Sequence, residues 1–274
     1  MKILVTNDDG YMSKGLLSLV EILAAYGRIT VVAPKKPQSG MSMAVSMGLR
    51  PIAVRELGER EGARWWYLDG TPASCIKFGI DNIFHPQVPD LVVSGINHGS
   101  NAATAALYSG TLGAAMEGAV NGIPSIGVSL DTFKSDADFS AVRRLLPGIL
   151  DKLLDVAKPR SGMFYNINFP YIPHERIKGV RMCRMGKAHW EREYRPYLEF
   201  LSEIGKTPDP DAEKYLASCL ADEQVYVMAG DFTSNDGNPD DADHLLLEQG
   251  YITITPHNID NTDSGEYERL CAII

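Results

Sequence analysis

Residues 2–10 have the sequence Lys-Ile-Leu-Val-Thr-Asn-Asp-Asp-Gly, a short apolar run that leads directly into a polar turn. The run shows no alternation of apolar and polar side chains, which is typical of a strand covered on both faces. We therefore predict that residues 2–6 form a central strand of a parallel sheet. The polar turn then lies at the carboxyl end of this strand, where open α/β sheets bind their ligands.

The residues that follow continue a strand, helix, strand pattern. Apolar side chains recur at helical spacing from Leu16 to Leu23, with Gly27 as the expected helix stop, and residues 29–33 form a second apolar run. Thr71-Pro72 has the form of an N-cap followed by proline at the first helical position. Further strands are predicted at residues 65–68, 91–94 and 125–128, and a small-residue helix at residues 111–120. The pattern predicts an α/β fold with a doubly wound parallel sheet.

The second half of the chain adds a long helix and a stretch without periodicity. Phe139 to Val156 is amphipathic, and Pro147-Gly148 is expected to kink or divide that helix. Residues 186–211 combine charges, aromatic residues and prolines, so we predict an extended arm or hairpin within about residues 186–240, of the kind that packs on a partner subunit. The remaining predicted elements are a strand at residues 164–169, a helix at residues 240–249, a strand at residues 251–255 and a polar tail after Pro256.

The composition fits one globular domain over residues 1–274 and argues against two classes of partner. Of the 274 residues, 45 % are hydrophobic, which is enough for a substantial core. The formal net charge of −9 argues against a nucleic-acid polymer or an anionic membrane as partner, because both require clustered Lys and Arg. The sequence contains neither a membrane-length apolar run nor a signal-peptide layout, so we predict a cytoplasmic protein. The four cysteines are far apart and are expected to be reduced.

Polar residues follow three of the predicted strands. Asp8 and Asp9 follow the first strand, Ser39 follows the second after a short loop, and Asn97 follows the strand at residues 91–94. Adjacent carboxylates repel each other, and a hard divalent cation is the simplest agent that stabilises both in ionised form. Oxygen ligands of this kind suit Mg²⁺, Mn²⁺ or Ca²⁺ better than Zn²⁺. The alternative is that Asp-Asp-Gly is merely a turn or a helix N-cap.

A second feature is the sequence Tyr-Ser-Gly-Thr at residues 108–111, which leads into the small-residue helix. Backbone N–H groups at a helix start, together with the hydroxyls of Ser109 and Thr111, form an anion site that requires no cationic side chain. The alternative is a simple N-cap. Neither a P-loop nor a Gly-x-Gly-x-x-Gly motif is present, which argues against nucleoside-triphosphate and dinucleotide chemistry.

These motifs together resemble the SurE family. The blocks that match in order and spacing are residues 2–10, Ala33-Pro34 with Gln38-Ser39-Gly40, Asp69-Gly70-Thr71-Pro72, residues 94–101, residues 108–111 and the closing strand at residues 250–256. The resemblance implies a Rossmann-like core and a homodimer or homotetramer assembled through exchanged C-terminal segments. It also implies a divalent-metal-dependent 5′-nucleotidase that hydrolyses nucleoside 5′- and 3′-monophosphates.

The resemblance also assigns roles to individual residues. It implies that Asp8, Asp9, Ser39 and Asn97 bind one Mg²⁺ or Mn²⁺ per subunit, with Ca²⁺ also compatible, and that Ser109, Gly110 and Thr111 hold the phosphate. Asn7, Gly40 and Asn101 are expected to line the same site. The chain departs from the family pattern at Ala102 to Ala106, where glycine and acidic residues are usual, and at Ser74, where aspartate is common.

The hypothesis for the chemistry is in-line attack by a metal-activated water, with Asp8 or Asp9 as the residue that accepts its proton. His98 is a weaker candidate for a general acid or a phosphohistidine nucleophile. Two other functions remain open at this point. One is a non-catalytic nucleotide-binding module, and the other is a phosphatase that acts on another phosphoryl compound such as short polyphosphate.

Overall fold

The computed structural model describes residues 1–49, 51–134, 136–156 and 158–274. The chain forms two compact units, one comprising residues 1–186 and 239–274 and the other comprising residues 187–238. The strands of the larger unit are β1 (Lys2–Thr6), β2 (Arg28–Pro34), β3 (Val54–Arg60), β4 (Ala63–Leu68), β5 (Leu91–His98), β6 (Ser125–Asp131), β7 (Met163–Pro170), β8 (Val180–Met182) and β13 (Ile252–Asn258). Its α-helices are α1 (Lys14–Leu23), α2 (Pro72–Phe78), α3 (Ala105–Tyr108), α4 (Gly110–Val120), α5 (Ser140–Val156), α8 (Asp243–Glu248) and α9 (Ser264–Cys271).

Across the described residues the larger unit contains a nine-stranded sheet with the order β3-β4-β2-β1-β5-β6-β7-β13-β8. The strands from β4 to β7 are parallel neighbours, whereas β3 and β13 run antiparallel to β4 and β7. The predicted doubly wound, mostly parallel α/β sheet is thus confirmed. β1 lies between β2 and β5, as its unbroken apolar sequence predicts.

Helices cover both faces of the sheet. Ile3 and Val5 pack in a cluster with Leu16 of α1 and Leu146 of α5, while Leu4 packs on the other face. This second cluster includes side chains of α2 and α4, among them Ile76 and Ala114. Successive side chains of a strand point to opposite faces, so a strand buried on both faces has no polar alternation. This explains the sequence pattern of β1.

Local capping chemistry fixes the helix starts. Ser13 caps α1 by accepting a hydrogen bond from the backbone N–H of Leu16, and Thr71 caps α2 through the N–H of Ser74, with Pro72 at the first helical position. The N-cap predicted at Thr71-Pro72 is therefore present. The sequence predicts that Gly27 stops α1, but the helix ends earlier, at Leu23, with Ala24 as its C-cap.

The structure corrects several predicted boundaries. The strand predicted at residues 91–94 continues to His98, so Asn97 lies within β5 instead of after it. Helix α5 passes through Pro147 without a division. The predicted polar tail contains α9, and β3 is an antiparallel edge strand that the sequence pattern did not indicate. In the described part of the chain, the four cysteines are free thiols.

The smaller unit contains β9 (Ala188–Glu191), β10 (Tyr194–Pro196), α6 (Tyr197–Glu203), α7 (Pro210–Ser218), β11 (Tyr226–Met228) and β12 (Asp231–Ser234). Its strands pair antiparallel as β10 with β11 and as β9 with β12. The unit occupies nearly the range in which an arm is predicted. Its role as an oligomerisation arm stays a prediction. Among the described residues of both units, no helix is long and apolar enough to span a membrane.

Candidate active site

Asp8 lies at the carboxyl end of β1 and is almost completely buried, with 4 % of its surface exposed. The Thr111 hydroxyl donates a hydrogen bond to Asp8 Oδ1 at 2.5 Å, and the backbone N–H of Thr111 also donates to this carboxylate. The backbone N–H of Gln38 donates to the main-chain oxygen of Asp8 at 2.7 Å. These contacts join the loops after β1 and β2 to each other, as predicted for the carboxyl edge of the sheet, and they also join the loop after β1 to the start of α4.

Burial is the main influence on the ionisation of Asp8. Desolvation, followed by the neighbouring charge of Asp9, raises the pKa of Asp8 to about 6, and the hydrogen bonds from Thr111 oppose this rise. Both leading effects disfavour the ionised carboxylate. A cation beside Asp8 and Asp9 would instead favour the ionised carboxylates, because a nearby positive charge stabilises a negative one.

The start of α4 contacts Asp8 directly. A side chain at Gly110 would place its Cβ 3.0 Å from Asp8 Cβ, so glycine permits this close approach. Ser109 accepts a hydrogen bond from the backbone N–H of Leu112 at 3.1 Å and is therefore the N-cap of α4. The N-cap alternative for Ser109 is thus present in the structure. The positive end of the helix dipole lies beside Asp8, where it favours an anion.

Asp9 is fixed from the side of β5. The Nδ1 atom of His98 lies 3.0 Å from Asp9 Oδ2, and the backbone N–H of His98 donates to the same oxygen at 3.3 Å. The sequence prediction treated His98 as a weak catalytic candidate and missed this contact. The pairing of β5 with β6 shifts register between Ser94 and Asn97, so the side-chain directions after this point did not follow from simple alternation.

Two asparagines at this edge have their amide nitrogens engaged. The Asn97 Nδ2 donates to the carbonyl oxygen of Gly99 at 2.8 Å. The Asn7 Nδ2 donates to Ser13 Oγ at 2.7 Å and to the Gly10 carbonyl at 3.0 Å. The Asn7 Oδ1 is buried and has no hydrogen-bond partner among the described residues. Each carboxamide oxygen is therefore the atom with capacity to accept a ligand.

The other predicted residues are placed differently. Ser39 and Gly40 lie in an exposed loop that follows Gln38. Asn101 belongs to a buried amide network, because its Nδ2 donates to Ser129 Oγ and its backbone N–H donates to Asn168 Oδ1, each at 2.8 Å. The structure thus brings Asp8, Gly110 and Thr111 into contact, whereas the Asn101 side chain is engaged within the core.

The donor set fits a hard divalent cation better than a soft one. Within the described ranges, no three His, Cys, Asp or Glu side chains come together in an arrangement that could hold a metal. A cation at this edge would therefore depend on two carboxylates with neutral oxygen ligands and water, a set that suits Mg²⁺ or Mn²⁺. The buried, unpaired Oδ1 of Asn7 and the adjacent carboxylates are consistent with this kind of ligand.

The sheet topology defines an α/β protein whose paired carboxylates, Asp8 and Asp9, follow β1 at the carboxyl edge of the sheet, the edge at which such sheets bind their ligands. A sequence profile described as "Survival protein SurE" matches residues 3–192. The 5′-nucleotidase SurE of Bacteroides fragilis is 38 % identical over 264 residues, which cover 95 % of this chain and 92 % of that protein. The 5′-nucleotidase SurE of Christiangramia forsetii is 36 % identical with the same coverage. The chain belongs to the SurE family, and the resemblance found in its sequence is confirmed.

A solved structure supports the same conclusion at the level of the fold. The crystal structure of the SurE protein from Aquifex aeolicus aligns with a TM-score of 0.77 at 29 % sequence identity. The alignment covers 100 % of this chain and 99 % of that protein. The likeness therefore extends over the whole chain.

Proposed function

We propose that this chain is a divalent-metal-dependent 5′-nucleotidase that hydrolyses nucleoside 5′- and 3′-monophosphates to nucleoside and phosphate. One observation carries the proposal: in a chain of the SurE family, the buried carboxylate of Asp8 lies against the start of α4 and beside the carboxylate of Asp9. This arrangement combines a cation-binding pair with a helix start that attracts anions. A phosphate monoester complements both features.

The proposed metal ligands are Asp8, Asp9, Ser39 and Asn97. A divalent cation bound there would supply positive charge to the phosphoryl group and would acidify a nucleophilic water. Thr111 holds Asp8 by its hydroxyl and its backbone N–H, so α4 fixes the direction of this carboxylate. Asp9 is fixed by His98. The chain therefore supplies two oriented carboxylates, either of which is a candidate to accept the proton of the attacking water.

The proposed phosphate-binding residues are Ser109, Gly110 and Thr111, with Asn7 and Gly40 nearby. The dipole of α4 favours negative charge at its first turn. Gly110 leaves space beside Asp8 that a larger side chain would fill. Because no lysine or arginine is required for this contact, an acidic protein can bind an anionic substrate there. Asn101 contributes by bracing the loop after β5, since its side chain lies in the buried amide network.

The remaining parts of the proposal concern assembly and location. We expect a homodimer or homotetramer in the cytoplasm, with a small-molecule nucleotide as the ligand and with neither a nucleic-acid polymer nor a membrane as partner. The acidic composition supports the exclusion of polyanionic partners. The exposed apolar surface of residues 187–238 supports assembly.

The test is phosphate release from a panel of nucleoside 5′- and 3′-monophosphates and short polyphosphate, first with EDTA and then with Mg²⁺, Mn²⁺ or Ca²⁺. Release from monophosphates that EDTA abolishes and one metal restores supports the proposal. Turnover of polyphosphate alone would assign the site to another phosphoryl substrate. Nucleotide binding without turnover in any metal would make the chain a binding module and would contradict the proposal.

A further inference from the structure

His98 makes two hydrogen bonds to a single carboxylate oxygen. Its Nδ1 lies 3.0 Å from Asp9 Oδ2, and its backbone N–H donates to that oxygen at 3.3 Å. Both groups are partly buried, with 18 % of the His98 side chain and 20 % of the Asp9 side chain exposed. Asp9 Oδ2 is therefore held from one direction by two donors, and its rotation is restricted.

The surroundings of the imidazole fix its orientation and its tautomer. The ring packs against Phe139 with a centroid distance of 5.3 Å and an interplanar angle of 89°. The Nε2 atom is buried and has no hydrogen-bond partner among the described residues. A neutral imidazole carries one proton, and a buried N–H without an acceptor is costly. The proton therefore belongs on Nδ1, where Asp9 Oδ2 accepts it.

We propose that His98 is a positioning residue that holds Asp9 Oδ2 so that the other carboxylate oxygen is presented to a divalent cation. The inference rests on the proposed metal site and deepens it. Hydrogen bonds that orient ligating carboxylates commonly change metal affinity by about 10- to 100-fold. Neither ring nitrogen of His98 is available to contact a phosphoryl group, because Nδ1 is hydrogen-bonded to Asp9 and Nε2 is buried.

Two substitutions separate the hydrogen bond from the packing of the ring. His98→Phe keeps an aromatic ring against Phe139 but removes the Nδ1 donor. His98→Asn removes the ring but can return an N–H donor near the position of Nδ1. If the donor positions Asp9, His98→Phe weakens Mn²⁺ binding about 10-fold or more and His98→Asn restores most of it. If the ring only supports the fold, the order of the two variants is reversed.

The experiment is calorimetric titration of each full-length variant with Mn²⁺, together with monophosphate hydrolysis as a function of Mn²⁺ concentration. Excess Mn²⁺ should restore the kcat of His98→Phe, because the lost quantity is metal affinity. His85→Ala is the matched control: His85 is exposed and lies before the amino end of β5, whereas His98 ends the same strand. This control should bind Mn²⁺ with the Kd of the wild type.

The possible outcomes distinguish the two proposals. A His98→Phe protein that binds Mn²⁺ as tightly as the wild type overturns the positioning role, as does a His98→Asn protein that is the weaker of the two. A wild-type protein that binds no Mn²⁺, Mg²⁺ or Ca²⁺ overturns the metal-dependent function itself. Thermal unfolding in EDTA identifies a variant that has lost its fold, and the remaining variant then decides the test.

Discussion

At the scale of single residues, Asp8 is the clearest case in which function opposes stability. The carboxylate is buried and stands next to the charge of Asp9, and both conditions disfavour ionisation. Thr111 and the start of α4 offset part of the cost. A buried carboxylate that the fold stabilises only in part is typical of a functional site.

The first prediction concerns Asp8→Asn, which keeps an oxygen acceptor for Thr111 and removes the charge. The variant should lose metal-dependent phosphatase activity and, in EDTA at pH 7.5, should be more stable than the wild type by on the order of 2–3 kcal/mol. The pKa of Asp8 is raised from 3.8 to about 6 in the folded protein. The folded wild type therefore loses stability as the pH rises from about 4 through about 6, and the difference between the proteins should disappear below pH 4.

Urea unfolding at several pH values, together with phosphate release, checks this prediction. Asp138→Asn is the control, because Asp138 is exposed and its pKa is lowered by the hydrogen bonds from Ser140. Removing this charge should not stabilise the protein at neutral pH. A folded Asp8→Asn protein with full activity would contradict the metal assignment. Asp9→Asn is also expected to fold and to be inactive.

The residue scale also shows what the sequence could and could not predict. The family resemblance implies that Gly110 and Thr111 lie in the same site as Asp8, and the structure places these three residues in contact. The bond between His98 and Asp9 did not follow from the sequence. It depends on a register shift within β5, which the local pattern of side chains does not reveal.

At the scale of elements, α4 depends on glycine for its approach to the loop after β2. A Cβ at Gly113 would collide with the carbonyl oxygen of Ser42. Ser42 also donates hydrogen bonds to the carbonyl oxygens of Tyr108 and Leu107, at 2.9 and 2.7 Å. The loop that carries Ser39 and Gly40 is therefore tied to the start of α4.

The second prediction compares one substitution in two helices. Gly113→Ala should destabilise the protein by about 1–3 kcal/mol or more and should lower phosphatase activity, because the loop must move away from α4. Gly148→Ala in α5 should stabilise the protein by about 0.5–1 kcal/mol, since none of the described residues lies within 4 Å of the added methyl group. Urea unfolding of both variants checks the opposite signs. Equal stabilisation by both would show that the Ser42 contact carries no constraint.

The third prediction concerns Asp243, which joins α8 to the loop after β5. This fully buried carboxylate accepts hydrogen bonds from the backbone N–H groups of Ala103 and Gly186, each at 3.0 Å. Asp243→Ala leaves both donors without their acceptor and should cost on the order of 2–5 kcal/mol. Asp243→Asn retains an oxygen acceptor and should lose less stability. Denaturant unfolding measures both, and an unchanged Asp243→Ala midpoint would contradict the bracing role.

The continuous helix α5 shows why local sequence rules were insufficient. Pro147 lacks an N–H group and normally kinks or divides a helix, so the sequence predicts a kink or a division there. In the structure Leu146, Ile149 and Leu150 are buried in the core, and the Tyr26 hydroxyl donates to the carbonyl oxygen of Pro147 at 2.9 Å. Tertiary packing of the apolar face thus outweighs the local cost of proline.

At the scale of the whole molecule, the order of the strands explains why the polar segments of the candidate site lie close together. β1 lies between β2 and β5, so the polar segments after these strands meet at one carboxyl edge. The apolar runs predicted this central region. The strand at β13 was also predicted, at residues 251–255, whereas β3 and β8 were not, because edge position and short length leave weak local signals.

Residues 187–238 differ from the rest of the chain in their lack of a core. In this unit, all of which is described, Ala188 is the one buried apolar residue. A groove of about 470 Å³ is lined by residues that include Leu198, Leu216 and Tyr226, and Leu198 is 58 % exposed. Exposed apolar surface of this kind is typical of a site that binds another molecule. We predict that the partner of this surface is a second copy of the chain.

The fourth prediction is that Leu198→Glu shifts the protein from an oligomer to a monomer. A charge within an apolar interface loses its hydration without gaining a partner, so the association free energy should weaken by several kcal/mol. Sedimentation equilibrium at several protein concentrations measures the shift. Val88→Glu, at an exposed apolar position of the larger unit, is the control and should leave the assembly unchanged. If Leu198→Glu keeps the wild-type mass while Val88→Glu dissociates the protein, the interface lies on the larger unit and the arm has another role.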